Sequence, residues 1–226
     1  MNEATSNPNT DRLRVVILIL TLINTIFAAT LSGLQVDANI RADKANRDSQ
    51  YLALLAANEL VYVGHQGAYD FEIFTNTVKD TQQSLVMEFT ALELEQKGEN
   101  ESAAKLHSQS EVAKARSEKG TALSVFYSDP RYAPTKADGA PNLEAYLVDE
   151  MKAPNDLVAK QNVATDEYHK WNKKGDAYVA VLTVTAIAFF LLGLAQSTAR
   201  LRLFFAISAV TIMFIAAAWT GLIMIG

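Results

Sequence analysis

The sequence predicts an all-α membrane protein with three transmembrane helices and an extracytoplasmic antiparallel helical bundle between the first and the second. Three uncharged runs indicate the helices that cross the membrane: 20 residues in 15–34, 23 in 177–199 and 24 in 203–226. At about 1.5 Å of rise per residue, a helix of that length crosses a hydrocarbon core of roughly 30 Å. The bundle is predicted from the helix-forming segment 35–176, which carries 16 Lys and Arg against 23 Asp and Glu.

The first uncharged run has two interpretations, because Arg12 and Arg14 precede it as they would precede a signal peptide. The apolar part of a signal peptide is usually about 7 to 15 residues long. This run is 20 residues long and continues into a helical pattern without a turn signal. We therefore interpret residues 12–34 as a retained transmembrane helix, preceded by a disordered cytoplasmic tail at 1–11.

Basic residues near the spans predict the orientation. Arg12 and Arg14 precede the first span, and Arg200 and Arg202 lie in the short turn between the second and the third. By the positive-inside rule, both pairs face the cytoplasm. The remaining predicted segments are the extracytoplasmic domain 35–176, transmembrane helix 177–199, cytoplasmic turn 200–202 and transmembrane helix 203–226, which ends outside. The expected location is a cell membrane, with the bacterial inner membrane favoured by the acidic pI of about 5.3 and the lack of cysteine.

Four helical segments are expected between the first and second spans. The first continues from the membrane until Gly64 and Gly67, which allow a break, and a second follows at about 68–97. A third is expected at about 101–127, before the proline-rich loop 128–142. Asn142 is the expected N-cap of a short helix, and the chain then restarts at Pro154 into a helix that enters the membrane. The predicted seam of that last helix, typical of a coiled coil or a bundle, comprises Leu157, Gln161, Ala164, Tyr168, Trp171, Gly175 and Tyr178.

The sequence carries no recognisable catalytic, metal or cofactor motif. It contains no P-loop, GxGxxG, GxSxG or HExxH pattern, and the absence of cysteine excludes a thiol nucleophile. Its three histidines, His65, His107 and His169, are interpreted as solvated or locally hydrogen-bonded residues. We therefore predict no enzyme activity, no cofactor and no metal. Because segment 35–176 is acidic, nucleic acid is not an expected partner.

Polar and small residues inside the spans predict contacts between helices. The three spans lack ionisable side chains, which are usual in ion pathways. Asn24 can form a hydrogen bond to another helix, and two pairs of small residues allow close approach of backbones. The candidates for helix packing are Asn24, Ala29, Gly33, Ala217 and Gly221. An alternative role for Asn24, together with Thr21 and Thr25, is to line a pore.

The loop 128–142 is the candidate interaction loop. It has three prolines and one glycine in 15 residues, and we expect Arg131, Tyr132 and the nearby Tyr146 to form an exposed recognition surface. The alternative is that this loop is a plain connector.

Two resemblances follow from this layout. The stalk DANIRADKANRDSQYLALLAANEL at 37–60 and the turn AQSTARLRL at 195–203 resemble those of a bacterial family of three-span membrane proteins with a domain of unknown function, which implies no activity. Segment 35–176 also resembles the four-helix bundle sensor domains of bacterial chemoreceptors. A chemoreceptor continues into a long cytoplasmic signalling region, for which the short cytoplasmic segments expected here leave no room.

Three functions are compatible with these observations. The leading hypothesis is a non-enzymatic structural or accessory subunit, embedded in the lipid bilayer as a homo-oligomer or within a membrane protein complex. The alternative is a ligand-sensing or regulatory protein that signals to a separate partner, for which the sequence identifies no small-molecule ligand. The third is an oligomeric channel.

Overall fold

The computed structural model describes the backbone of residues 8–135 and 140–225 and the side chains from residue 12 onward. Six helices and no strand occupy the described residues, so the all-α prediction is confirmed. Three of these helices, α1, α5 and α6, are long and apolar enough to cross a membrane. The helices are α1 (Pro8–Gln96), α2 (Asn100–Leu123), α3 (Val125–Ser128), α4 (Leu143–Glu150), α5 (Lys152–Ser197) and α6 (Arg202–Ile225).

The prediction of a break at Gly64 and Gly67 is wrong, because α1 is a single helix of 89 residues. Glycine inside a helix costs only about 1 kcal/mol relative to alanine. Burial on α1 continues in register across this stretch. Its shielded positions recur every seven residues, at Ala56, Val63, Asp70 and Thr77. Tertiary packing therefore outweighs the local preference of the two glycines.

Other boundaries differ less from expectation. The predicted third helix ends early, at Leu123, because Ser124 has an extended backbone (φ −77°, ψ 122°) before the short helix α3. The predicted cap at Asn142 is confirmed, since its side chain accepts a hydrogen bond from the Ala145 backbone N–H at 3.1 Å. The expected disordered tail lies outside the described residues except for 8–11, which belong to α1. Loop residues 136–139 and Gly226 also lie outside them.

The chain divides into two compact units. We call residues 1–51 and 160–226 the span unit, because they contain the three apolar segments, and residues 52–159 the hairpin unit.

Two buried clusters form the core of the span unit, and both combine α1, α5 and α6. In α1 the buried positions recur every seven residues, at Ile17, Asn24, Leu31 and Ala38. Seven-residue spacing is typical of helices that pack with a left-handed supercoil. The predicted seam of α5 shows the same regularity, since all seven of its residues are buried or half-buried. The clusters are centred on Ile17, Leu192, Ala195, Ala206 and Ala209, and on Leu31, Ala38, Tyr178, Val181 and Ala216.

The hairpin unit is built on two antiparallel helices, the second half of α1 and all of α2. They are joined at 97–99, where Gly98 has a φ of 80° that favours glycine. The residues buried between them are small: Thr77, Ser84 and Ala91 on α1, and Ala103, Ser110 and Ser117 on α2. Each set is spaced by seven residues, so the two helices meet along seams of equal period.

Candidate functional site

Asn24 joins two membrane spans inside the span unit. Its side chain is fully buried, and its Nδ2 donates a hydrogen bond to the backbone carbonyl of Thr185 in α5 at 3.3 Å. Its Oδ1 is buried and has no hydrogen-bond partner among the described residues. The hydroxyl groups of Thr21 and Thr25 bond to carbonyls of their own helix. This geometry favours helix contact over pore lining as the role of Asn24.

The four small-residue candidates for helix packing are less buried than Asn24. Ala29 and Gly33 in α1 and Ala217 in α6 are exposed in the single chain, and Gly221 is half-buried. Among the described residues, no atom apart from the neighbouring backbone of the same helix lies within 4 Å of the position that a Cβ would take on Gly33 or Gly221. Neither glycine therefore serves a close helix contact within this chain.

Close contact occurs instead at two other glycines, Gly175, which belongs to the predicted seam of α5, and Gly120, which the sequence analysis did not select. In the span unit, a Cβ on Gly175 would lie 2.5 Å from Oδ1 of the exposed Asn39. In the hairpin unit, a Cβ on Gly120 would overlap Oγ1 of the buried Thr77, which already donates to the carbonyl of Ile73 at 2.8 Å. Gly120 lies seven residues after the buried Ala113 and three after the buried Ser117, and this helical spacing of small residues was the signal that could have identified it.

Hydroxyl pairs connect the two helices of the hairpin. Ser84 and Ser110 are both buried, with their hydroxyl oxygens 3.1 Å apart, and Ser110 also donates to the Ser84 backbone carbonyl at 3.0 Å. Thr81 and Ser117 form a second hydroxyl pair one turn away. These contacts satisfy buried polar groups in a seam that has few large apolar side chains.

The proline-rich loop folds back on α1 through an aromatic cluster, which contradicts part of its predicted exposure. Tyr132 and Tyr146 are 3% and 1% exposed, so they lie in the core of the hairpin unit and not on a recognition surface. Their rings pack edge-on at a centroid distance of 5.4 Å. Phe126 completes the buried cluster and lies 4.8 Å from Tyr146. Aromatic rings bury large apolar areas, and this gain outweighs the general tendency of loop residues to stay exposed.

A buried carboxylate lies beneath this cluster. Asp70 is 6% exposed, and its Oδ2 accepts a hydrogen bond from the Tyr146 hydroxyl at 2.7 Å. The Gln66 side-chain amide donates to the same carboxylate at 3.2 Å. Burial and this hydrogen bond raise the pKa of Tyr146 well above its usual value. The tyrosine therefore stays protonated and fixes α4, which follows the loop, to α1. The two residues are 76 positions apart, so local sequence patterns could not predict this contact.

Arg131 is the one interaction-loop candidate that is exposed. Its guanidinium bonds to Asp129 at 2.8 Å and to Asp149 at 2.6 Å. The hydrogen bond from Arg131 holds the pKa of the Asp129 carboxyl below its usual range. Tyr132 donates to the same Asp149 at 2.7 Å, and burial, followed by this hydrogen bond, raises its pKa to about 12. Arg131 is thus paired with one carboxylate of the loop and one of α4, while most of its side chain stays exposed.

His107 in α2 lies between two carboxylates of α1. Its Nδ1 is 3.1 Å from Glu88 and its Nε2 is 3.2 Å from Glu95. The hydrogen bond to Glu88 is the main cause of a raised His107 pKa. His107 contacts both carboxylates across the two helices near the end of the hairpin, and in its protonated form both ring nitrogens donate to them.

One face of α1 in the hairpin unit carries large apolar side chains that no other part of the described chain covers. Leu85, Phe89 and Leu92 are 53%, 65% and 43% exposed, and their spacing of four and three places them in one row. We call these three residues the apolar stripe. In the structure the small residues face the core and these large ones face out.

Among the described residues, no group of three or more His, Asp or Glu side chains is arranged to hold a metal ion. Comparison with protein-family models, with curated proteins and with solved structures finds no match for the chain. The two resemblances drawn from the layout therefore remain expectations.

Proposed function

We propose that this chain is a non-enzymatic structural or accessory membrane subunit, which assembles with copies of itself or with a second membrane protein. The apolar stripe is the observation that carries this proposal. An apolar face at spacings of three and four is how one amphipathic helix docks on another protein. Contiguous exposed apolar patches that are rimmed by polar residues are typical of protein–protein or membrane interaction sites.

The inverted arrangement of side-chain sizes supports the same conclusion. Small residues such as Ser84 and Ala91 fill the seam inside the hairpin, while Phe89 points away from it. A helix pair that needed only its own stability would bury its largest apolar groups, because burial contributes roughly 25 cal/mol per Å² of apolar surface. Leaving them outside is consistent with a partner that covers them.

In the proposed topology the N-terminus is cytoplasmic, and segment 35–176 and the C-terminus are outside the cytoplasm, in a cell membrane for which the bacterial inner membrane is favoured. Leu13 packs against the cluster that contains Ala195 and Ala206. The two arginines beside Leu13 and those of the α5–α6 turn thus lie at one end of the spans, as the positive-inside rule requires of a cytoplasmic face. Since the chain has no cysteine, Ser102→Cys and Ser197→Cys variants can be labelled in intact cells with an impermeant maleimide. Labelling of only the first is expected, and the reverse pattern would invert the topology.

The functional proposal is tested by purifying the natively expressed full chain in gentle detergent and determining its mass and co-purifying chains. The test variant carries Leu85→Ser, Phe89→Ser and Leu92→Ser. The control carries Val112→Ser, Leu123→Ser and Val148→Ser, which removes side chains of similar exposure that lie outside the stripe. We expect a complex with the wild type and the control, and its loss with the stripe variant at unchanged helix content.

Each outcome has a defined meaning. Different proteins in the complex identify an accessory subunit, and copies of the same chain identify a homo-oligomer. A wild-type chain that is monomeric and has no partner contradicts the proposal and favours the sensor hypothesis. A complex that survives in the stripe variant rejects this surface as its docking site.

A further inference from the structure

A groove of about 510 Å³ lies in the span unit, between the water-facing part of α5 and the last turn of α6. Its polar side contains Lys170, Lys173 and Lys174; the last two lie three and four residues after Lys170 and therefore on the same side of the helix. Its other side contains the apolar residues Ala177 and Ile223. The groove thus combines a cationic rim with an apolar wall.

The rim carries an excess of positive charge. Asp166 and His169 complete the lining, so one carboxylate faces three ammonium groups. Among the side chains that the structure describes, none of the three lysines forms an ion pair within 4 Å. Lys174 lies 5.3 Å from the centre of the Trp171 ring, an attractive contact that leaves its charge uncompensated.

The apolar wall places the groove at a membrane boundary. Ala177 is the first residue of the uncharged run 177–199, and Ile223 lies three residues from the end of the run 203–226. Trp171 and Tyr178 lie on either side of Ala177 along α5, and aromatic residues are enriched at the interface between lipid and water. This placement depends on the three helices crossing a membrane and does not depend on which side of the membrane the groove faces.

We propose that this groove binds the headgroup of an anionic phospholipid, with the lysines at the phosphate and the apolar wall against the first part of an acyl chain. Basic pockets between transmembrane helices are a recognised way of holding anionic headgroups. A zwitterionic lipid would leave the net charge of the rim uncompensated. A free inorganic anion would use the lysines and leave the apolar wall in water. The site is independent of the apolar stripe and of the subunit function proposed above.

The test uses the full chain in nanodiscs of phosphatidylcholine alone or with phosphatidylglycerol. Lipid retention is read by native mass spectrometry and stability by thermal unfolding. The test variant carries Lys170→Gln, Lys173→Gln and Lys174→Gln. The matched control also removes three positive charges, by Lys105→Gln, Lys114→Gln and Lys119→Gln. These three lysines are exposed on α2. A second test variant, Ala177→Leu, fills the wall and keeps all three lysines.

The wild type and the control are expected to retain one phosphatidylglycerol per chain and to unfold at a higher temperature when it is present. A lysine near an anionic surface contributes about 1 kcal/mol, so the triple variant should bind about 100-fold more weakly. Ala177→Leu should also lose the retained lipid, whereas attraction to the membrane surface alone would leave its binding intact.

Three results would overturn the proposal. The first is equal lipid retention by the triple variant and the control. The second is retention of phosphatidylcholine as strong as that of phosphatidylglycerol. The third is an equal stabilisation by inorganic phosphate in phosphatidylcholine nanodiscs, which would identify a simple anion site.

Discussion

The hydrogen bond from Tyr146 to Asp70 can be used to test what holds α4, and the proline-rich loop before it, against α1. The hairpin unit contains two tyrosine-to-aspartate hydrogen bonds of the same length, 2.7 Å, one from Tyr146 to Asp70 and one from Tyr132 to Asp149. Both tyrosine rings are buried in the same cluster. The two bonds differ in their acceptors, since Asp70 is 6% exposed and the Asp149 side chain is 42% exposed.

Substitution with phenylalanine keeps each ring and removes only its hydroxyl group. In Tyr146→Phe the buried Asp70 loses its shortest hydrogen bond, and water cannot replace it. A hydrogen bond to a charged group contributes about 1.5 to 3 kcal/mol, which we expect as the loss of stability. In Tyr132→Phe, water and Arg131 still reach Asp149, so a loss of about 0.5 to 1 kcal/mol is expected.

The assay is native-state hydrogen exchange of the full chain in detergent, followed by mass spectrometry on peptides that cover α4. Since 1.4 kcal/mol corresponds to a factor of ten, Tyr146→Phe should speed exchange there by about 10- to 100-fold and Tyr132→Phe by about 2- to 5-fold. Equal effects of the two substitutions would refute the argument that burial of the acceptor decides the strength of the bond. A double substitution with Asp70→Asn gives the coupling energy directly.

Three further predictions concern single positions. Asn24→Leu keeps the branched shape and removes both the long hydrogen bond to the Thr185 carbonyl, at 3.3 Å, and the buried Oδ1 without a partner. Because an unsatisfied buried polar group costs more than one long hydrogen bond between spans contributes, stability in mixed micelles should rise by about 1 kcal/mol. A loss of that size would show that a bound group satisfies the oxygen. Gly64→Ala meets open space and should stabilise the chain by about 0.5 to 1 kcal/mol. Gly120→Ala would bring a methyl group onto the buried Thr77 and should destabilise the chain by about 1 to 3 kcal/mol. Chemical unfolding measures the stability of both glycine variants. Changes of the same sign in the two variants would contradict the packing described. Because the pKa of His107 is raised, the stability that it contributes is fully present below its ordinary value of about 6.5 and is lost as pH rises through the raised value. Thermal unfolding between about pH 5.5 and 8.5 should show this trend, and His107→Gln should remove it.

The elements of the fold that depend on long local patterns were predictable. Each of the three spans contains at least 20 uncharged residues, and the cap at Asn142 has a distinct chemical signal. The seam of α5 was predictable because its residues recur at spacings of four and three from Leu157 to Tyr178. The spacing holds even at Gln161 and Gly175, which are poor apolar residues. All of these features depend on residues close together in the chain.

The helix boundary at Gly64 and the role of the loop were not predictable, because each depends on contacts with distant residues. Gly64 suggests a break, but neighbouring turns of α1 are held by packing on one side. Tyr146 reaches Asp70 across 76 residues. The exposed position of Phe89 was not predictable either, because a helical period shows which residues share a face and not which face is buried.

The inverted hairpin, with small side chains inside and the apolar stripe outside, has a consequence for the life of the protein in the cell. If the stripe is a docking surface, a newly made chain without its partner presents to chaperones and proteases the kind of surface by which they recognise incomplete assemblies. Its abundance would then follow the supply of the partner more closely than its own rate of synthesis. Steady-state levels across strains that lack individual membrane proteins would therefore identify the partner by the loss of this subunit.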